Sequence, residues 1–113
     1  MTLNEYFSRY YALICDGSLD DLEDYFCSGS PLFNATKQQF ETLRKQFDFK
    51  FTLQNVALIA KQDDLLVVRD VVNFKAEIDG KDIDKVSSNL HSLVKESGEW
   101  KLHCSTPLPE AMV

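Results

Sequence analysis

Histidine is almost missing from this chain: only His91 and His103 occur among 113 residues. Cysteine is nearly as sparse, and Cys15, Cys27 and Cys104 are odd in number and lack CxxC spacing. They read as buried thiols of a reducing compartment rather than as a zinc site or redox pair, so no metal and no cofactor is expected. Four glycines and three prolines are too few for a low-complexity linker or a disordered tail. Basic charge is also short, with 12 Lys and Arg against 18 Asp and Glu, a net charge of −6. Phosphate backbones repel such a chain, and no Lys/Arg stripe offsets that, so no nucleic-acid partner is expected. Long apolar runs are absent as well. Stretches such as Leu65-Leu66-Val67-Val68 fall far short of a bilayer span, so no membrane partner is expected. MTLNEYFSRY has no apolar core of a secretory signal, which leaves a cytoplasmic location as the expectation.

What is present is a globular composition, 44% hydrophobic and 12% aromatic, of a size suited to one domain over residues 1–113. Thr2 and Glu5 make a capping box, followed by Leu3, Phe7, Tyr10 and Ile14 on one helical face, with Gly17 as its stop. Ser18 and Asp21 open a second helix with Leu19, Leu22 and Phe26 as its stripe. After an extended piece at Leu32-Phe33, Thr36 and Gln39 start a third helix carrying Phe40, Leu43 and Phe47. From Phe49 the period becomes two. Strands are predicted at 49–61, 65–79, 82–95 and 99–105, with turns at Asp63-Asp64, Asp79-Gly80 and 96–98. The fold class is α+β, three N-terminal helices on one face of a curved antiparallel sheet of about four main strands.

Turn lengths then assign faces. Two-residue loops at 63–64 and 79–80 and a three-residue loop at 96–98 put Phe49, Phe51, Leu53, Asn55, Ala57 and Ile59 with Asp70, Phe74, Asn89, His91 and His103. Under this pairing His91 lies opposite His103. The other face collects Val67, Val71, Val86, Leu90, Val94, Trp100, Leu102 and Cys104, a patch that a homodimer through the outer sheet face would cover. A single bulge would reverse the parity, move the second set into the core and leave both histidines in solvent. Apolar count favours the bulge; turn length favours the pocket.

The opening SRYYALICDGSLDDLEDYF at 8–26 and the closing VKESGEWKLHCS at 94–105 resemble the nuclear transport factor 2-like superfamily, which includes SnoaL-like polyketide cyclases and ketosteroid isomerases. The resemblance covers the whole chain. It implies a cone-shaped, cystatin-like fold enclosing a pocket for a small apolar organic molecule, and dimers through the sheet. It also implies site residues: Tyr10 stands where the isomerases carry an oxyanion-binding tyrosine, Asn34 where they carry the basic aspartate, and Asn89 where they carry a protonated aspartic acid. An amide abstracts no proton, so steroid isomerisation is not expected.

Two readings remain open. In the catalytic one, acid–base isomerisation, cyclisation or dehydration without a cofactor, His91 is the base and Asp70 orients it. His103 then organises water or substrate and Tyr10 stabilises an oxyanion, with Asn89, Asn34, Phe74 and Phe51 binding the ligand. In the other, the same pocket belongs to a non-catalytic ligand-binding or protein-interaction module.

Overall fold

The computed structural model describes residues 2–108. Helix α1 (Leu3–Asp16) starts as the capping box requires: the Thr2 hydroxyl accepts the Glu5 N–H at 3.1 Å. Its buried face is Phe7, Tyr10, Tyr11 and Ile14, the i, i+3, i+4, i+7 set of an amphipathic helix. At its end Gly17 is extended, not left-handed, so its glycine answers to space. A Cβ there would collide with the Leu13 side chain and crowd its backbone. The second predicted helix is a short 3-10 helix, Leu19–Asp24, seated by Leu19 and Leu22.

Helix α2 (Phe33–Gln46) begins earlier than the Thr36 signal predicts, so Leu32-Phe33 is not an extended piece. The Phe33 ring lies 5.7 Å from Phe26, and that packing outweighs the missing side-chain cap at Leu32. None of the residues of α2 is fully buried; it closes the domain as an outer wall. Arg44 ties it down, donating from Nε to Ile14 O at 2.8 Å and from its two terminal nitrogens to Gly17 O and Leu13 O at 2.6 Å each. A guanidinium thus caps the carbonyls at the C-terminus of α1, among which Leu13 O also accepts the Gly17 N–H at 2.9 Å, and positive charge is favoured there.

Four antiparallel strands follow as a meander, β1 (Phe49–Lys61), β2 (Leu65–Ile78), β3 (Lys81–Glu96) and β4 (Glu99–Pro107), in the order β1-β2-β3-β4. Asp79 (φ 53°) and Gly80 (φ 78°) make the expected two-residue turn. Ser97 (φ 53°) and Gly98 (φ 81°) make another, with Glu96 opposite Glu99. That corrects the three-residue loop at 96–98: positive φ at both central positions matches the right-handed twist of the strands.

The bulge question has a mixed answer. Between the last turn and Leu102, even positions of β4 face the helices, so Trp100 packs on the core and Leu102 is fully buried within it. Their expected place on the outer face is therefore corrected. The ladder then slips: Leu93 pairs with Leu102 but Ser92 pairs with Cys104, leaving His103 as the extra residue. Beyond it odd positions face inward, and His91 pairs with Ser105 rather than His103. Past the bulge the shorter turn and the slip cancel, which brings Ser105 inward, while His91 is held inside by the unbroken β2–β3 register opposite Val68.

Two further slips in β1, at Leu53/Asn55 and Leu58/Ala60, place Val56 and Leu58 opposite Asp70 and Val68. They displace Asn55, Ala57 and Ile59 from the expected inward set. Ile59 is 56% exposed. The core is Phe7, Ile14, Leu22, Val68, Leu93 and Leu102 with the tyrosines of α1 around them. Phe26 bridges β4 in parallel, with Cys27 N–H donating to Leu102 O at 2.8 Å and Leu102 N–H to Tyr25 O at 2.7 Å.

Candidate functional site

Asp70 lies mid-β2 among Val68 and Val72 and is completely buried. A carboxylate there must be satisfied from within, and its partners come from two other elements. From α1, the Tyr11 hydroxyl donates to Oδ2. From β3, His91 Nε2 meets the same oxygen at 2.6 Å, while the Asn89 backbone N–H and Nδ2 both donate to Oδ1 at 3.1 Å. His91, 2% exposed, is fixed at its other nitrogen too, with Nδ1 2.7 Å from Ser105 Oγ on β4. The Phe7 ring covers it at 4.7 Å between centroids. Burial, then the charge of Asp70, pushes the Tyr11 hydroxyl well above the ordinary tyrosine range, so it remains a phenol and a donor.

This network forms one wall of a cavity of about 320 Å³. Tyr10, Tyr11 and Ile14 of α1 and Phe40 and Leu43 of α2 close it from the helix side. Phe51, Asn89, His91 and Ser105 close it from the sheet. A larger depression of about 500 Å³, between Asp48–Lys50, Lys75–Glu77 and Asp82–Asp84, contains none of these groups. The chemistry is concentrated in the smaller cavity.

The expected site residues divide accordingly. Asp70, His91, Asn89, Tyr10 and Phe51 come together, four of them lining the cavity and Asp70 lying behind. Tyr10 lines it but does not reach Asp70; its neighbour Tyr11 does. His103 is carried away by the bulge, its Nδ1 3.5 Å from Cys27 Sγ. Asn34 is exposed on the first turn of α2, and Phe74 stacks on Phe49 and Phe51 at 5.9 and 5.2 Å instead of lining the cavity. Two contributors were missed. Tyr11 had a signal, its i+4 spacing from Phe7; Ser105 had none, because its direction depends on the bulge. Among the described residues no three His, Cys, Asp or Glu side chains cluster as metal ligands.

The model of one protein family, the C-terminal domain of the anti-sigma-I factor RsgI9, matches residues 11–109. The chain belongs to that family. The match begins at Tyr11 and extends beyond Ser105, so this RsgI9 C-terminal-type domain contains the whole network inside the matched region. No curated protein sequence matches it.

Solved structures of NTF2-like proteins share its fold. An NTF2-like superfamily protein from Salmonella enterica serovar Typhimurium superposes with a TM-score of 0.80 at 13% identity, covering 96% of this chain and 89% of that one. An NTF2-like protein with a cystatin-like fold from Novosphingobium aromaticivorans gives 0.79 at 13% identity, covering 98% and 81%. A protein named as a dehydratase of the NTF2-like family, from Streptomyces avermitilis, gives 0.72 at 12% identity, covering 93% of each chain. At such identities the likeness concerns the fold alone.

Proposed function

We propose that this RsgI9 C-terminal-type domain binds a small, largely apolar organic molecule in the cavity between α1, α2 and the sheet, and that it does so as a non-catalytic module. The observation that carries the reading is the closure of the polar network. Asp70 accepts bonds from three side chains and one backbone N–H. His91 is engaged at both ring nitrogens. A general base needs a lone pair within reach of the substrate, and here the two titratable groups spend theirs on each other and on the scaffold. The family is named for part of an anti-sigma factor, and a binding module suits a regulator better than an enzyme does.

The test is a fragment titration followed by NMR, with Leu43→Trp as the control. Leu43 lines the cavity from α2, none of whose residues is fully buried, so the larger ring fills the space without splitting the core. Fragments that bind the native chain and lose binding in Leu43→Trp support the reading. Binding unaffected by the tryptophan, or none across a broad set, refutes it.

A second reading has one observation in its favour: Ser105, His91 and Asp70 form a continuous relay reaching the cavity. An acid–base enzyme would use it, and His91→Gln would then abolish turnover of a bound ligand while preserving its binding.

We also propose a homodimer through the outer sheet face, where Val67, Val71, Leu90 and Val94 are only half-buried and Val86 is 50% exposed. Leu90→Glu should give a soluble monomer by light scattering; dimer mass retained in that variant would refute the interface.

A further inference from the structure

The sheet has two edges, β1 and β4, and the fold covers them unequally. The β4 edge is occupied at Leu102, whose O accepts the Cys27 N–H at 2.8 Å and whose N–H donates to Tyr25 O at 2.7 Å. On β1, Cys15 Sγ accepts the Phe51 N–H at 3.1 Å. From Gln54 to Lys61, no group outside the sheet bonds the strand among the described residues.

An open edge displays N–H and C=O groups that can template a further strand, and bulges and lysines normally blunt it. β1 has both, yet it keeps a regular stretch. Between its two slips, Asn55, Val56, Ala57 and Leu58 pair in unbroken register with Val71, Asp70, Arg69 and Val68 of β2. That stretch leads into an exposed apolar corner. Leu58, 48% exposed, and its neighbour Ile59 are two of the three large hydrophobic residues left open to solvent among the described residues. Beside Leu58 lies a groove of about 220 Å³, walled by Leu3 and Tyr6 of α1 and by Leu66, Leu93 and Trp100 of the sheet. A strand added to β1 would turn every second side chain to this side of the sheet, where one can fill the groove.

Charge indicates which kind of strand fits. β1 carries Lys50 and Lys61 and no acid, in a chain whose net charge is −6. Both lysines are exposed, and neither is in an ion pair among the described residues. Lys61 also lines the groove. A second copy laid antiparallel along β1 would set Lys50 of each chain beside Lys61 of the other, and like charges so placed disfavour self-pairing. Asp63 and Asp64 follow Lys61 in the turn and repel an acidic strand that overruns it.

We propose that the open edge of β1 docks an extended peptide segment of another protein, which adds as an antiparallel strand, places an apolar side chain in the groove beside Leu58 and carries acidic residues at its ends. This surface is separate from the cavity and does not depend on what the cavity binds.

The test titrates the full chain with the end-blocked peptide Glu-Thr-Phe-Thr-Val-Thr-Val-Thr-Glu, which presents its acids and apolar side chains on one face when extended. Backbone amides are followed by NMR. Amides of residues 54–61 should shift in a saturable way. Replacing both glutamates by lysine should weaken binding about threefold to tenfold, the margin of exposed ion pairs, and added salt should narrow that gap. Proline in place of the central valine should abolish binding, because it offers no N–H to a ladder. Leu58→Glu, at a half-exposed position, should weaken the parent peptide about fivefold or more through lost groove contact and like charge. No binding, shifts confined to other strands, or a lysine or proline peptide that binds as tightly as the parent overturns the proposal. So do shifts of residues 54–61 with protein concentration alone, which would make a second copy the occupant. The peptide series on the native chain decides the matter even if Leu58→Glu fails to fold.

Discussion

Tyr11→Phe isolates one arm of the buried network. The change deletes only the hydroxyl that donates to Asp70 Oδ2. The ring keeps its neighbours Tyr10 at 5.2 Å and Phe51 at 5.5 Å, so no cavity opens beyond the lost oxygen. Asp70 retains His91 and both Asn89 donors. The loss is that of one hydrogen bond to a desolvated carboxylate plus the long 3.4 Å bond that the hydroxyl accepts from Asn89 Nδ2, about 2 kcal/mol together. For a domain of this length that corresponds to about 8 °C in melting temperature. Tyr10→Phe is the control: it removes an identical hydroxyl from the adjacent residue, which is not among the partners of Asp70. Urea unfolding of both variants, with unchanged m-values, should give about 2 kcal/mol for Tyr11→Phe and under about 0.5 kcal/mol for Tyr10→Phe. Equal losses, or a Tyr11→Phe loss no larger than the control, would refute the assignment of Tyr11 to the network.

Arg44→Ala should cost about 2 kcal/mol, because Ile14 O and Gly17 O lose the donors Arg44 supplies while Leu13 O keeps only the Gly17 N–H; Arg44→Lys should recover less than half, since an ammonium cannot span all three. Chemical denaturation reads both, and a neutral Arg44→Ala would contradict the tie between α1 and α2. Alkaline pH should unfold the domain through Tyr6, Tyr10 and Tyr11, whose hydroxyls burial raises above the ordinary value of 10.0. Above pH 10 the unfolded chain releases these protons and the folded chain keeps them. Stability is therefore intact below that pH and falls above it, by up to about 4 kcal/mol per pH unit if all three contribute. A flat urea midpoint from about pH 9 to about pH 11.5 would contradict the burial of these hydroxyls.

Much of this architecture is written in local signals. Thr2 and Glu5 start α1, Asp79-Gly80 turns β2 into β3, and the change of period at Phe49 marks where helix gives way to sheet. Those features depend on neighbours in sequence. Face assignments depend instead on an unbroken count of twos, and the ladder slips near Gln54, Ile59 and His103 each reset it. Nothing local to His103 announces its bulge. Its position is held from outside, where Tyr25 and Cys27 grip the backbone of Leu102. Asp70 and His91 were legible because the β2–β3 ladder runs without a slip from the Asp79-Gly80 turn, so the count of twos holds for both. Ser105 lies beyond the bulge at His103, so its contact with His91 appears only in three dimensions. Tyr10 and Tyr11 sit one helical step apart on the same buried face, and only the placement of α1 over β2 selects which hydroxyl meets Asp70.

The central claim is that the ligand site is the cavity beside His91 and excludes His103. Its most direct test is the imidazole NMR spectrum of the full chain during titration with cyclohexanone, because the two histidines report from inside and outside the cavity in one experiment. The His91 ring signals should move in a saturable way while those of His103 stay fixed. Equal movement of both, or movement of His103 alone, would contradict the account.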